Sequence, residues 1–219
     1  GAVAHDIYTE PEDFDLDTLA TLGPLAGLAG KRVGQGNDTH PVAEGGEDEP
    51  YRERMVVEPI DPQPNGPQLL YGLRYHVHVN ELDEPLTFHD QVGYWLWEPA
   101  TGTLYRTLAI PRAQVAMAMG AADPSARRFT VRATLGSPTA GIVSGPFLHE
   151  NFRTLEYSIT ITLGDDGTLA YEQDTVLQIA GRPEPFHHLD RNVLRRVAPP
   201  RPNPVLTAGG GQAGPDRGG

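Results

Sequence analysis

From residue 153 to 163 the chain alternates almost perfectly. Leu155, Tyr157, Ile159, Ile161 and Leu163 fall on one parity, and Thr154, Glu156, Ser158, Thr160 and Thr162 on the other. Successive side chains of a β-strand point to opposite faces, so such a run buries one face of a sheet and leaves the other to water. Asp165-Asp166-Gly167 follows as a hairpin turn, and residues 168–179 return as a second extended run. The pattern recurs at 68–79, where Leu69, Tyr71, Leu73, Tyr75, Val77 and Val79 oppose Arg74, His76 and His78. Period two over two long runs commits the chain to antiparallel sheet with one apolar face.

Residues 85–111 fit the same frame. Glu98-Pro99-Ala100-Thr101-Gly102 is a turn between two extended runs, and the first of them places His89, Gln91, Gly93, Trp95 and Trp97 on one face. Further extended runs cover 51–58, 115–120, 127–135 and 190–197. Residues 37–50, with the acidic patch Glu44-Gly45-Gly46-Glu47-Asp48-Glu49, read as a polar loop, as do 59–67 and 136–151. Near the start, Leu19, Leu22, Leu25 and Leu28 recur every three residues, interrupted by Gly23-Pro24 and ended by Gly30, which predicts a short helical cap in two pieces. The expected fold is all-β: a single closed antiparallel up-and-down barrel of about ten strands, like the lipocalins and fatty-acid-binding proteins, with a short N-terminal helical cap. Residues 1–16 are expected to form an N-terminal arm, 17–198 the barrel, and 199–219 a disordered Pro/Gly-rich tail.

Composition removes several functions. The net charge is −12, from Asp+Glu 29 against Lys+Arg 17, which disfavours binding to a phosphate backbone, so no nucleic-acid partner is expected. With Cys 0, disulfides, cysteine zinc sites, iron–sulfur clusters and thiolate-ligated haem are excluded. The absence of cysteine suits a reducing compartment, and the first residues lack the basic and apolar regions of a signal peptide, so the expected location is cytoplasmic. No apolar run approaches membrane-spanning length, and no membrane partner is expected. A homodimer is the one macromolecular assembly expected.

Histidine is the remaining resource, with His 8. His5 and His149 have no partners in sequence and read as surface residues. His76 and His78 form a His-x-His pair able to bind a metal, but they share the face of Arg74, opposite the apolar one, and are expected to meet water. The stretch Gly30-Lys31-Arg32-Val33-Gly34-Gln35-Gly36 fits no phosphate-loop template and reads as a strand start with close backbone approach. His187 and His188 enter the last strand behind Pro183-Glu184-Pro185-Phe186, and as neighbours only one of them can face inward. A neutral imidazole is a competent iron ligand, and a buried histidine bonded to backbone is the alternative.

In order along the chain, three segments resemble one family. Residues 25–36 resemble the Gly-x-Trp-x-Gly-x-Gly opening of the nitrobindins, haem-binding β-barrels that include the haem-binding domain of some THAP-type proteins. Residues 88–94 resemble the segment where a distal histidine precedes Gly-Tyr, and Phe186-His187-His188-Leu189 resembles the C-terminal Pro-His-Leu. The resemblance spans about residues 20–198 and places the chain in a divergent bacterial-type branch. It implies haem b with His188 as the axial iron (metal) ligand, and a cofactor pocket formed by His188, His89, Phe88, Gly34 and Gly36. His89 would be the distal, catalytic residue in nitric oxide binding and in the isomerisation of peroxynitrite to nitrate. The chain departs at Arg32, where the motif has tryptophan, and at His40-Pro41-Val42, where the family has Tyr-Pro-Thr. Those departures keep two alternatives open: a non-catalytic carrier or sensor of haem or an apolar small ligand, and a haem-dependent peroxidase-like or tailoring enzyme.

Overall fold

The alternating runs close on themselves. The computed structural model of the chain describes residues 5–208. In chain order the strands are β1 (Gly30–Pro41), β2 (Gly46–Pro59), β3 (Gln63–Asn65), β4 (Gln68–Glu81), β5 (Thr87–Glu98), β6 (Thr103–Ile110), β7 (Gln114–Ala121), β8 (Arg128–Thr134), β9 (Ile142–Ser144), β10 (Phe152–Leu163), β11 (Leu169–Ile179) and β12 (Phe186–Ala198). Two short α-helices, α1 (Pro146–Asn151) and α2 (Pro204–Ala208), complete the set. The sheet runs β2-β1-β12-β11-β10-β8-β7-β6-β5-β4, and antiparallel pairing of β2 with β4, from Tyr51↔Glu81 to Pro59↔Leu73, joins its ends. Ten strands thus make a closed up-and-down barrel, with β3 appended to β4 and β9 to β7. Closure leaves no edge within the ring and turns the apolar parity of β4, β8, β10 and β11 inward, whereas β12 sends His188, Asp190 and Asn192 inward and leaves Leu189 and Val193 exposed. The thinnest seam is β7–β8, paired at Met119↔Arg132, and β9 takes up the other end of β7 at Gln114–Ala116.

One end of the barrel is plugged. Thr18–Ala20 and Gly23–Leu28 are 3-10 helices, the conformation with three residues per turn, which is why leucines spaced by three share a face. Leu22, Leu25 and Leu28 are 0%, 0% and 1% exposed, and burial on that scale is worth roughly 1.5–3 kcal/mol for each side chain. Gly23 lies at φ +54 against Trp97, and a Cβ there would sit 2.5 Å from the indole, so the plug can approach only through glycine. Arg32 closes the same end. It is 1% exposed and donates to the carbonyls of Leu28 (3.4 Å), Gly167 (2.9 Å) and Gly27, tying the helical plug to the β10–β11 turn.

Five segments differ from expectation. His40-Pro41 does not lie in a loop: β1 runs through Pro41 and β2 starts at Gly46, so only residues 42–45 turn. Arg182 holds that turn by donating to the Gly45 carbonyl (3.0 Å) and to that of Val42. The acidic patch thereby enters the sheet, with Asp38↔Glu49 and His40↔Glu47 in register. A bulge at Thr154/Glu156 breaks the parity of β10, so Thr154 points inward and is buried while Leu155 is only partly covered. The stretch 136–151, expected as a loop, contains β9 and α1, and 59–67 contains β3. Beyond residue 199, expected as a disordered tail, the Arg201 amide donates to the Glu58 carboxylate and α2 follows, while 1–4 and 209–219 lie outside the described residues.

Candidate functional site

Opposite the plug, the barrel opens into a cavity of about 530 Å³. That is within the ~300–1,000 Å³ usual for small-molecule sites. Its mouth is formed where β1 and β4 end and where β2, β5 and β12 begin, so Asp38, His40, Glu49, Glu81, Phe88 and His188 meet there. One wall is apolar, with Val77, Trp95, Leu108, Ile110, Ile142 and Ile159 among its residues.

Both histidines singled out by resemblance lie on this cavity, one from each side of the sequence. His188 faces in and His187 faces out, where it meets Asp174 at 2.7 Å. The His188 imidazole is 33% exposed, and its Nε2 has one contact, to Asp38 Oδ2 at 3.5 Å, at the limit of a hydrogen bond. Burial would raise the Asp38 carboxyl, but hydrogen bonds from His188 and His40 outweigh it and leave its pKa below the ordinary value. His89 is deeper. Its Nε2 is 3.1 Å from Gln91 Oε1, and Gln91 Nε2 donates in turn to the Tyr75 hydroxyl at 2.9 Å. That direction assigns the proton of neutral His89 to Nε2 and leaves the lone pair on Nδ1. Burial lowers the His89 pKa and outweighs the opposing effects of the Gln91 hydrogen bond and the Asp190 charge, and the charges of His188 and Arg106 add to the lowering.

Phe88 sits at the rim, 49% exposed. Gly34 and Gly36 are not among the lining residues. They lie in β1, where a Cβ would meet the Val193 carbonyl at 2.5 Å or the Tyr51 ring at 2.4 Å, so they make room for neighbouring strands and for Tyr51. His76 and His78 lie on the outer face, as their parity requires, with ring centroids 3.9 Å apart and Asp90 bonded to His76 Nε2 at 2.8 Å.

Sequence reading passed over a chain of polar side chains across the cavity floor. Arg106 donates to the Tyr157 hydroxyl, Tyr157 to Gln173 Oε1 (2.9 Å), and Gln173 to Asp190 Oδ2 (2.7 Å). Tyr51 donates to Asp190 and lies 2.7 Å from the Tyr171 hydroxyl, which donates to Glu53. Burial pushes the Glu53 carboxyl up to about 7 and raises Asp190 as well. Burial opposes the Arg106 charge, but the surrounding tyrosines more than compensate and keep the guanidinium protonated. Parity carried the signal: Arg106 falls between Leu104 and Leu108, and Glu53 between Tyr51 and Met55, all inward positions.

A closed ten-strand barrel with one mouth and three histidines, His40, His89 and His188, lining its cavity is the architecture of a small-molecule-binding barrel. The profile of the THAP4-like, heme-binding beta-barrel domain matches residues 21–196, and the chain belongs to that family. Among solved structures it is similar to Rv2717c from M. tuberculosis, at 20% identity and a TM-score of 0.60 over 84% of this chain and 99% of that one. That likeness shows the same fold. A beta-barrel-like protein of the domain of unknown function DUF1849 from Brucella abortus matches at 10% identity and a TM-score of 0.22, covering 77% of this chain and 97% of that one. No curated protein matches.

Proposed function

We propose that the cavity would hold haem b through the His188 imidazole, and that the protein binds nitric oxide and isomerises peroxynitrite to nitrate. The observation that carries this reading is that His188 from β12 and His89 from β5 line the same cavity in a barrel of the haem-binding family. The residues fit the group: the wall is largely apolar, and His188 has no short hydrogen bond to surrender before its nitrogen can ligate a metal. Bound there, ferric haem would supply the ligation site and the electronic chemistry of the rearrangement.

The chain supplies position and proton control. Asp38 lies within reach of His188 and biases its orientation. Phe88 and the apolar wall restrict water. His89 is kept neutral by burial and fixed by Gln91, so its Nδ1 can accept a hydrogen bond or a proton from a protonated reactant.

Hemin titration of the purified chain is expected to give a Soret band with wild type and to lose it in His188→Ala. With the haem-loaded protein, peroxynitrite decay in stopped flow is expected to slow about tenfold or more in His89→Ala. A wild-type chain that takes up no hemin overturns the cofactor reading. Equal decay rates in the loaded proteins remove the role of His89.

A further inference from the structure

Arg106 touches no reactant in that scheme, and although the surrounding tyrosines keep it protonated it is a buried charge with no carboxylate bonded to it. It projects from β6 into the barrel, is 5% exposed, and lines the cavity. An unpaired charge taken out of water costs several kcal/mol, so buried arginines are ordinarily matched by a carboxylate. No ion pair joins Arg106 to a carboxylate among the described residues. Its partners are neutral: the Tyr157 hydroxyl accepts one hydrogen bond, and the rings of Tyr75 and Trp95 lie 5.0 and 5.1 Å from the guanidinium carbon. Its Nε has no hydrogen-bond partner at all. The nearest acids are engaged elsewhere, Glu53 with Tyr171 and Asn192, and Asp190 with Tyr51 and Gln173.

We propose that the floor of the cavity is a receptor for a planar monoanionic oxyanion, which pairs with Arg106. A guanidinium presents parallel donors that match two oxygens of one planar group. Two sources carry this chemistry: the carboxylate of an amphipathic acid, whose chain would run along Leu108, Ile110 and Ile159 toward the mouth, or a small inorganic anion such as nitrate. The inference rests on the buried, unmatched cation and does not require iron.

The full chain is titrated in chloride-free buffer with sodium dodecanoate in one arm and sodium nitrate in the other. Binding is followed by calorimetry and by tryptophan emission, to which Trp95, with its ring against Arg106, contributes. Saturable one-to-one binding is expected in at least one arm, and the responding arm identifies the source. In Arg106→Met the dissociation constant is expected to rise at least tenfold at an unchanged melting temperature. Should that variant not fold, Arg106→Lys, which keeps the charge but not the paired donors, is expected to bind severalfold more weakly than wild type, and Tyr157→Phe, which frees the guanidinium from its phenol, to bind more tightly. Silence in both arms, or equal affinity in wild type and variants, overturns the proposal. A hemin titration of the same wild-type protein separates the two readings: a chain that takes hemin but no anion overturns this inference alone, and one that binds an anion but no hemin overturns the haem assignment alone.

Discussion

Glu53 is a carboxyl that folding makes a weaker acid. It is 2% exposed and accepts hydrogen bonds from Tyr171 and Asn192, yet burial dominates and pushes it up to about 7. An unfolded chain releases that proton near the ordinary glutamate value, so between the two values the folded state holds a proton the unfolded state has lost. Its contribution is therefore full below the ordinary value and lost as pH rises toward and through 7. The loss amounts to roughly 3 kcal/mol. Glu53→Gln keeps the acceptor and cannot ionise. The difference in unfolding free energy between wild type and this variant should shift by that amount in favour of the variant between pH 4 and pH 8, as measured by urea denaturation. Asp190 is raised in the same direction and its charge adds to the rise at Glu53, so the difference reports the Glu53 titration together with its coupling to Asp190. A pH-independent difference would mean that water or a rearranged partner solvates the carboxylate.

At the level of elements, the closed end depends on one side chain. Arg32 satisfies carbonyls of the 3-10 plug and of the β10–β11 turn, although burial and the neighbouring Arg196 push its guanidinium down to about 10. Arg32→Met would leave those carbonyls unpaired and is expected to cost about 3 kcal/mol. Trp97 packs on Gly23 of the plug, so the same variant should red-shift tryptophan emission before the main unfolding transition. An unchanged urea midpoint would show that water replaces the guanidinium. Period two made the strands and their inward faces legible, because parity survives wherever pairing is regular. It failed at Leu155, where a bulge moved Thr154 inward, and at 37–50, where polar residues were taken for a loop although Arg182 pins the turn from a distant segment. His188 was found through resemblance, and parity then explains why His187 faces out. Arg106 and Glu53 stood at inward positions throughout, but a sequence does not say whether a charged residue at such a position has a partner.

On the scale of the whole molecule, the barrel folds around a space that its own side chains leave unfilled. Ten paired strands and the leucine plug stabilise the wall, while the cavity contributes less packing than a solid core would. A ligand that binds only the folded barrel should then raise its stability by mass action. At a free ligand concentration one hundred times the dissociation constant the gain is about 2.7 kcal/mol. For a chain of this size each kcal/mol corresponds to about 2–4 °C. Saturating hemin is therefore expected to raise the melting temperature of wild type by about 5–10 °C. His188→Ala should lose most of that shift while its melting temperature without hemin stays within a few degrees of wild type, because His188 lies at the mouth and outside the buried core. An equal shift in both proteins would place hemin in the barrel without His188 as its ligand. A variant destabilised before any hemin is added would show instead that the Asp38–His188 contact stabilises the β1–β12 seam.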